Sequence, residues 1–115
     1  MVMNTEIKQK WINALKSKEY QQGYEALRRD DKYCCLGVLC DIYVNETNDA
    51  KWSEKGLYFE REHSANSYLP EKIWEWTGLK NPDPMINEKA ETLSSLNDRL
   101  QLNFEKIADL IERNL

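Results

Sequence analysis

Ile7, Trp11 and Leu15 recur every four residues near the start of the chain, with Ile12 widening the stripe and Lys8, Lys10, Lys16 and Lys18 on the other side. Because a helix turns once in about 3.6 residues, that spacing gathers the apolar side chains on one face and predicts an amphipathic helix over residues 4–18. Asn4 or Thr5 can accept from the free N–H groups of its first turn, and Glu6 complements the positive end of the helix dipole. The pattern breaks over residues 19–23. Residues 24–27 and 31–33 then read as two short strands joined around residues 28–30.

Residues 33–44 form the most apolar stretch, Tyr-Cys-Cys-Leu-Gly-Val-Leu-Cys-Asp-Ile-Tyr-Val. Cys35, Val38, Leu39 and Ile42 make an i, i+3, i+4, i+7 set, so length and spacing favour a buried central helix over a strand. Gly37 inside it costs up to about 1 kcal/mol relative to Ala. Close approach of another backbone to that face accounts for such a cost.

Residues 45–50 are a polar loop. Residues 51–52, 56–60 and 67–69 carry the aromatic and alternating residues of short half-buried strands. Pro70 suits the start of a helix holding Ile73, Trp74 and Trp76, and Gly78 suits its end. The Asn81-Pro82-Asp83-Pro84 run is a turn. Ala90, Leu93 and Leu96 place a short helix over residues 88–96, which Asn97-Asp98-Arg99 interrupts. Asn103 caps a last helix with a stripe of Phe104, Ile107, Ala108, Ile111 and Leu115. The expected architecture is α+β, one domain over residues 1–115, with four or five helices packed around a short antiparallel sheet or hairpin.

Charge and cysteine change the list of partners. The 115 residues hold 16 Lys and Arg against 20 Asp and Glu, a net charge of -4. Nucleic-acid binding normally needs a basic surplus to displace counterions, so this balance argues against it. The basic cluster Arg28-Arg29, with Lys32 beyond Asp30-Asp31, reads as a solvated turn. No apolar run reaches the roughly 20 residues of a membrane span, and the polar first residues are unlike a signal peptide, so a cytoplasmic protein is expected. Three cysteines within seven residues, Cys34, Cys35 and Cys40, do not form a secreted disulfide framework. Nor do they have the paired spacing of a structural zinc site, so neither metal nor cofactor is expected.

The Cys34-Cys35 pair is the sharpest chemical candidate. A thiol at a helix N-terminus gains thiolate character from the dipole and the free N–H groups. With His63 as base and Asn66 as orienting group, such a thiol would suffice for hydrolysis or acyl transfer. The simpler reading makes the cysteines small core residues and His63 an exposed loop residue. Asp30 with Asp31 and Glu60 with Glu62 read as solvated surface. Trp52, Trp74 and Trp76 read as core anchors ahead of a stacking pocket. Asn97-Asp98 reads as a polar turn bonding its own backbone.

Taken together, Trp11-x-x-Ala14-Leu15, Gln22-Gly23, the run from Tyr33 to Asp41, Leu69-Pro70 with Trp76-x-Gly78-Leu79, Leu96-Asn97-Asp98 and Phe104-Glu105-x-Ile107-Ala108-Asp109 resemble a family of small uncharacterised proteins of bacteriophages and bacteria with a Tyr-Cys-Cys-Leu-Gly-Val-Leu-Cys core. They are more distantly similar to a bacterial domain of unknown function sharing Gln-Gly, Cys-x-x-Gly-Ala-Leu and Asn-Asp. The resemblance covers roughly residues 10–115 and implies a phage or mobile-element context, hence the host cytoplasm, but no reaction; His63 is outside its pattern. Its small and polar positions, Gln22, Gly23, Cys35, Gly37, Asn97 and Asp98, suggest a shared site or packing junction. Either Gln22, Asn97 and Asp98 converge over the N-terminus of the central helix to hold a small, nucleotide-like polar ligand, or Asn97 and Asp98 brace that helix while Gly37 admits a neighbour. The leading expectation is a non-enzymatic binding or interaction protein of a phage or mobile element, with a host protein as partner, that modulates a host process or counters a host defence. The alternatives are a cysteine-dependent hydrolase or transferase and a small-ligand binder.

Overall fold

In the computed structural model, which describes residues 3–59, 66–86 and 91–115, the first helix α1 (Thr5–Lys16) starts where expected. The Asn4 side chain accepts from the Ile7 N–H at 3.0 Å. It ends two residues early, at Ser17, because Lys18 takes the left-handed conformation with φ 67°. Trp11, fully buried, donates its indole N–H to the Cys35 carbonyl at 2.9 Å, so α1 grips the start of the central helix.

Three two-residue strands follow: β1 (Gln21–Gln22), β2 (Arg28–Arg29) and β3 (Lys32–Tyr33). They form a sheet in the order β1-β3-β2, with β1 parallel and β2 antiparallel to β3. The strand expected over residues 24–27 is therefore displaced to either side. Glu25 stands at φ 65°, which breaks an extended run, and Leu27 sends its N–H to the Asn66 carbonyl and its carbonyl to the Cys34 N–H. Asp30 and Asp31, at φ 53° and 62°, make the two-residue turn between β2 and β3. Two left-handed residues match the natural twist of a hairpin.

Helix α2 (Cys35–Thr47) is buried on all sides over Cys35–Cys40 and runs three residues past its apolar stretch, into an exposed polar turn. Asn48 stops it in the left-handed conformation at φ 56°, and the expected loop over residues 45–50 shrinks accordingly. The hairpin β4 (Ala50–Ser53) and β5 (Gly56–Phe59) packs beside it. Asp41 on α2 ties the pieces together by accepting from the Tyr20 hydroxyl at 2.6 Å and the Trp52 indole at 2.9 Å.

No strand forms over residues 67–69: residues 66–68 are a bend, and Leu69 donates its N–H to the Pro82 carbonyl instead of a strand neighbour. Helix α3 (Glu71–Thr77) has Pro70 at its N-cap and Gly78 beyond its end at φ 86°. Of the helix expected over residues 88–96, residues 88–90 lie outside the described residues; α4 (Leu93–Asp98) begins behind Thr92, whose hydroxyl caps Ser95. Asn97 and Asp98 sit inside α4 and do not interrupt it. Helix α5 (Phe104–Asn114), capped by Asn103 as expected, runs antiparallel to α1, with Lys16 to Asp109 at 3.1 Å near one end and Lys8 to the Glu112 carbonyl at 3.0 Å near the other.

The fold is α+β, as expected, with five helices and two small sheets among the described residues. A short antiparallel sheet or hairpin was expected: β4–β5 is one, and the other sheet adds the parallel β1–β3 pair to the antiparallel β2–β3 pair. Trp52, Trp74 and Trp76 flank the core, and no helix among the described residues is long and apolar enough to cross a membrane.

Candidate functional site

Of the residues singled out in the sequence, Gln22, Gly23, Cys34, Cys35, Gly37, Asn97 and Asp98 meet at the N-terminus of α2. Gly37 lies against the backbone of Leu27 so closely that a Cβ there would fall 1.7 Å from the Leu27 oxygen. Gly23 is the second close approach, since its Cβ would sit 2.8 Å from the Cβ of Lys32. Together these two glycines let the segment between β1 and β2 lie flat on the start of α2.

Asn97 closes this junction and is fully buried. Its Oδ1 accepts from the Cys35 N–H at 3.2 Å and the Gln22 amide at 2.9 Å. Its Nδ2 donates to the Gly23 carbonyl at 2.9 Å and to Asp98 at 2.7 Å. The orientation is unambiguous, because a backbone N–H can only donate and a backbone carbonyl can only accept. Gln22 is fixed in the same way, giving its second amide hydrogen to the Leu102 carbonyl at 2.8 Å. Asp98 Oδ1 also accepts from the Glu25 N–H at 2.9 Å, which holds Glu25 in its left-handed conformation. The reading of Asn97-Asp98 as a self-bonded polar turn is thus corrected: apart from the bond between them, their partners lie more than 60 residues away. Gln22, Gly23, Asn97 and Asp98 do converge over the start of α2. There Asn97 takes up the first N–H of the helix, and the Sγ of Cys34 accepts from the Gly37 N–H at 3.3 Å.

Cys34 stands at the helix N-terminus, as expected, but burial reverses the anticipated thiolate character. It is 4% exposed, and loss of solvent pushes its pKa up to about 12 against the lowering effect of the Gly37 N–H. Burial raises Cys35 and Cys40 well above the ordinary thiol value too. All three are free thiols. His63 lies outside the described residues, as do Glu60 and Glu62. Asn66 contributes its backbone carbonyl to Leu27. Iodoacetamide at pH 7 is therefore expected to label the native protein at least about 1,000-fold more slowly than the urea-unfolded chain, because only the thiolate attacks. Since the folded thiol values are raised, their contribution to stability is complete below the ordinary value near 9 and is lost as pH climbs toward 12. Alkaline unfolding monitored by tryptophan fluorescence checks the second point; rapid native labelling of Cys34 would contradict the first.

The unspent polar groups face outward. Gln22 Oε1 and Asp98 Oδ2 have no hydrogen-bond partner among the described residues, and neither is sealed from solvent. A concavity of about 180 Å³ opens beside the junction, lined by Gln22, Gly23, Tyr24, Arg29, Asp30 and Lys32 among others. Arg29 and Lys32, assigned in the sequence to a solvated turn, stand directly opposite one another on β2 and β3. Their separation of three residues was visible; the two-residue turn that makes them cross-strand neighbours was not. Arg28 faces elsewhere, pairing with Asp31 at 2.6 Å and lying 5.7 Å from the ring centres of both Tyr33 and Trp52. Among the described residues no group of three or more His, Cys, Asp or Glu is placed to hold a metal ion.

A family model described as a domain of unknown function (DUF8296) matches residues 3–115. No curated protein and no solved structure shows a significant match to the chain.

Proposed function

We propose that this chain, which belongs to the DUF8296 family, works by binding and not by catalysis, through the face formed by residues 22–32 over the Gln22–Asn97 junction. The observation that carries this reading is the division of polar groups. The groups of the motif that could do chemistry, the Cys34 and Cys35 thiols and the free end of α2, are buried and committed to internal bonds. The groups left uncommitted, on Gln22, Tyr24, Arg29 and Lys32, line an open concavity. The resemblance to phage and bacterial proteins supports a host component as the target and modulation of a host process, including defence, as the effect.

Affinity capture from host lysate tests this, with proteins and released metabolites both identified by mass spectrometry. The wild-type chain is expected to retain a species that a Tyr24→Ala, Arg29→Glu variant of unchanged thermal midpoint does not. Identical eluates from the two would sink the reading. A small polar ligand is the second reading, favoured by the size of the concavity: about 180 Å³ is roughly six times the share of liquid volume of one water. Cysteine-dependent hydrolysis is supported by no exposed thiol among the described residues.

A further inference from the structure

We propose that the concavity beside the Gln22–Asn97 junction binds a nucleoside monophosphate or a close chemical relative, with the phosphate on Arg29 and Lys32 and the planar base against Tyr24. This rests on the reading of the 22–32 face as a binding face and names the ligand class it takes.

Arg29 and Lys32 are register partners in the antiparallel β2–β3 pair, so their side chains leave the sheet on the same side. Like charges directly opposite each other destabilise a hairpin. Neither cation has an ion pair among the described residues, whereas Arg28, one position along and on the other side, has Asp31. A pair of neighbouring uncompensated cations is what a phosphate group neutralises, accepting charge-assisted bonds from both.

The surroundings narrow the class further. Tyr24 is 42% exposed and lines the concavity with no ring contact or hydrogen bond among the described residues, leaving its face free to stack on a base. Gln22 offers a directed acceptor: both amide hydrogens are held by Asn97 and Leu102, so Oε1 is fixed and open to a ring amino group or a sugar hydroxyl. Gly23 keeps the floor low where a side chain would meet Lys32. Asp30 also lines the concavity. One carboxylate against two cations leaves a small positive surplus, suited to a monophosphate and opposed to a triphosphate or a polyanionic nucleic acid.

The test titrates AMP, GMP, CMP and UMP into the full chain, with inorganic phosphate and the four nucleosides as controls, by calorimetry and by amide chemical shifts. At least one nucleotide is expected to bind with a Kd below about 1 mM, at least tenfold tighter than its nucleoside or phosphate alone. Arg29→Gln with Lys32→Gln, and separately Tyr24→Ala, should each weaken it tenfold or more at unchanged thermal midpoint. Asp30→Asn should tighten it, and added salt should weaken it. Absence of saturable binding by every nucleotide, or binding that the double variant leaves intact, overturns the proposal. If a captured host species still depends on the 22–32 face in that case, the ligand class is wrong and the binding face stands; if no species depends on it either, both fall.

Discussion

Replacing Gly37 by Ala is expected to destabilise the protein by at least about 3 kcal/mol, at the upper end of what overpacking a core usually costs. Helix propensity alone predicts the opposite sign, since Ala is favoured over Gly inside a helix by about 1 kcal/mol. The steric conflict wins because neither side can give way. A methyl group would lie 1.7 Å from the Leu27 oxygen and 2.6 Å from its carbonyl carbon, both of them backbone atoms. Leu27 is pinned by its own N–H to Asn66 at 2.7 Å and by its carbonyl to the Cys34 N–H at 3.3 Å, and its side chain is fully buried. On the other side, α2 is the buried centre of the molecule, and Trp11 holds the Cys35 carbonyl in its first turn. Relief by moving Leu27 would sacrifice hydrogen bonds worth about 1 kcal/mol each. Urea unfolding measures the effect, and a thermal midpoint lowered by about 10 °C or more should accompany it. An Ala variant as stable as the parent would mean that Leu27 is not held against α2.

This same position shows what was legible in the sequence. A glycine in the most apolar helix announces that some backbone comes close, but not which one; the partner is Leu27, ten residues earlier, in a stretch whose local pattern reads as a strand. Features governed by neighbours within a turn were legible: the caps at Asn4 and Asn103, Pro70 and Gly78 bracketing α3, and the stripes of α1 and α5. Features set by distant partners were not. Glu25 adopts φ 65° because its N–H reaches Asp98, and no local rule places a break there. The hydrophobic pattern also identified the buried helix carrying Cys34 and Cys35, yet a helix-end argument by itself gives the wrong sign for their acidity. The N–H groups at the helix end still act to lower the Cys34 pKa, but burial raises it by more, so desolvation decides the sign. Within the candidate site, Gln22, Gly23, Asn97 and Asp98 were legible as a set through the family resemblance, while Tyr24, Arg29 and Lys32 emerge only once the register of β2 and β3 is known.

Asn97 offers the second large effect, and its two substitutions separate hydrogen bonding from charge. Asn97→Ala leaves the buried Cys35 N–H and Gly23 carbonyl without their partner and takes one of two bonds from the half-buried Gln22 amide. At about 1–3 kcal/mol for each buried group left unsatisfied, the loss should reach roughly 3–5 kcal/mol. Asn97→Asp keeps the shape and the Oδ1 acceptor, so a purely steric role would tolerate it. Here it should be at least as damaging at pH 7, because an oxygen would replace the donor that now lies 2.9 Å from the Gly23 carbonyl and 2.7 Å from the Asp98 carboxylate. It would also bury a negative charge in the last turn of α4, the negative end of that helix dipole. Burial and the neighbouring carboxylate would raise the folded pKa of the new aspartate above its unfolded value near 3.9. The sign follows: relative to the parent, the variant should be least impaired below about pH 4, where the protonated acid again donates, and should lose stability as pH rises through that raised pKa. Asp98→Asn is the control. Its amide oxygen can still accept from Asn97 and from the Glu25 N–H, so its cost at pH 7 should stay within about 1 kcal/mol, the scale of one net hydrogen bond. Urea midpoints of the three variants at pH 4 and pH 7 decide the matter. If Asn97→Asp matched the parent at pH 7, or if Asp98→Asn were the more damaging change, Asn97 would not be the hydrogen-bonding centre that joins α4, β1 and the start of α2.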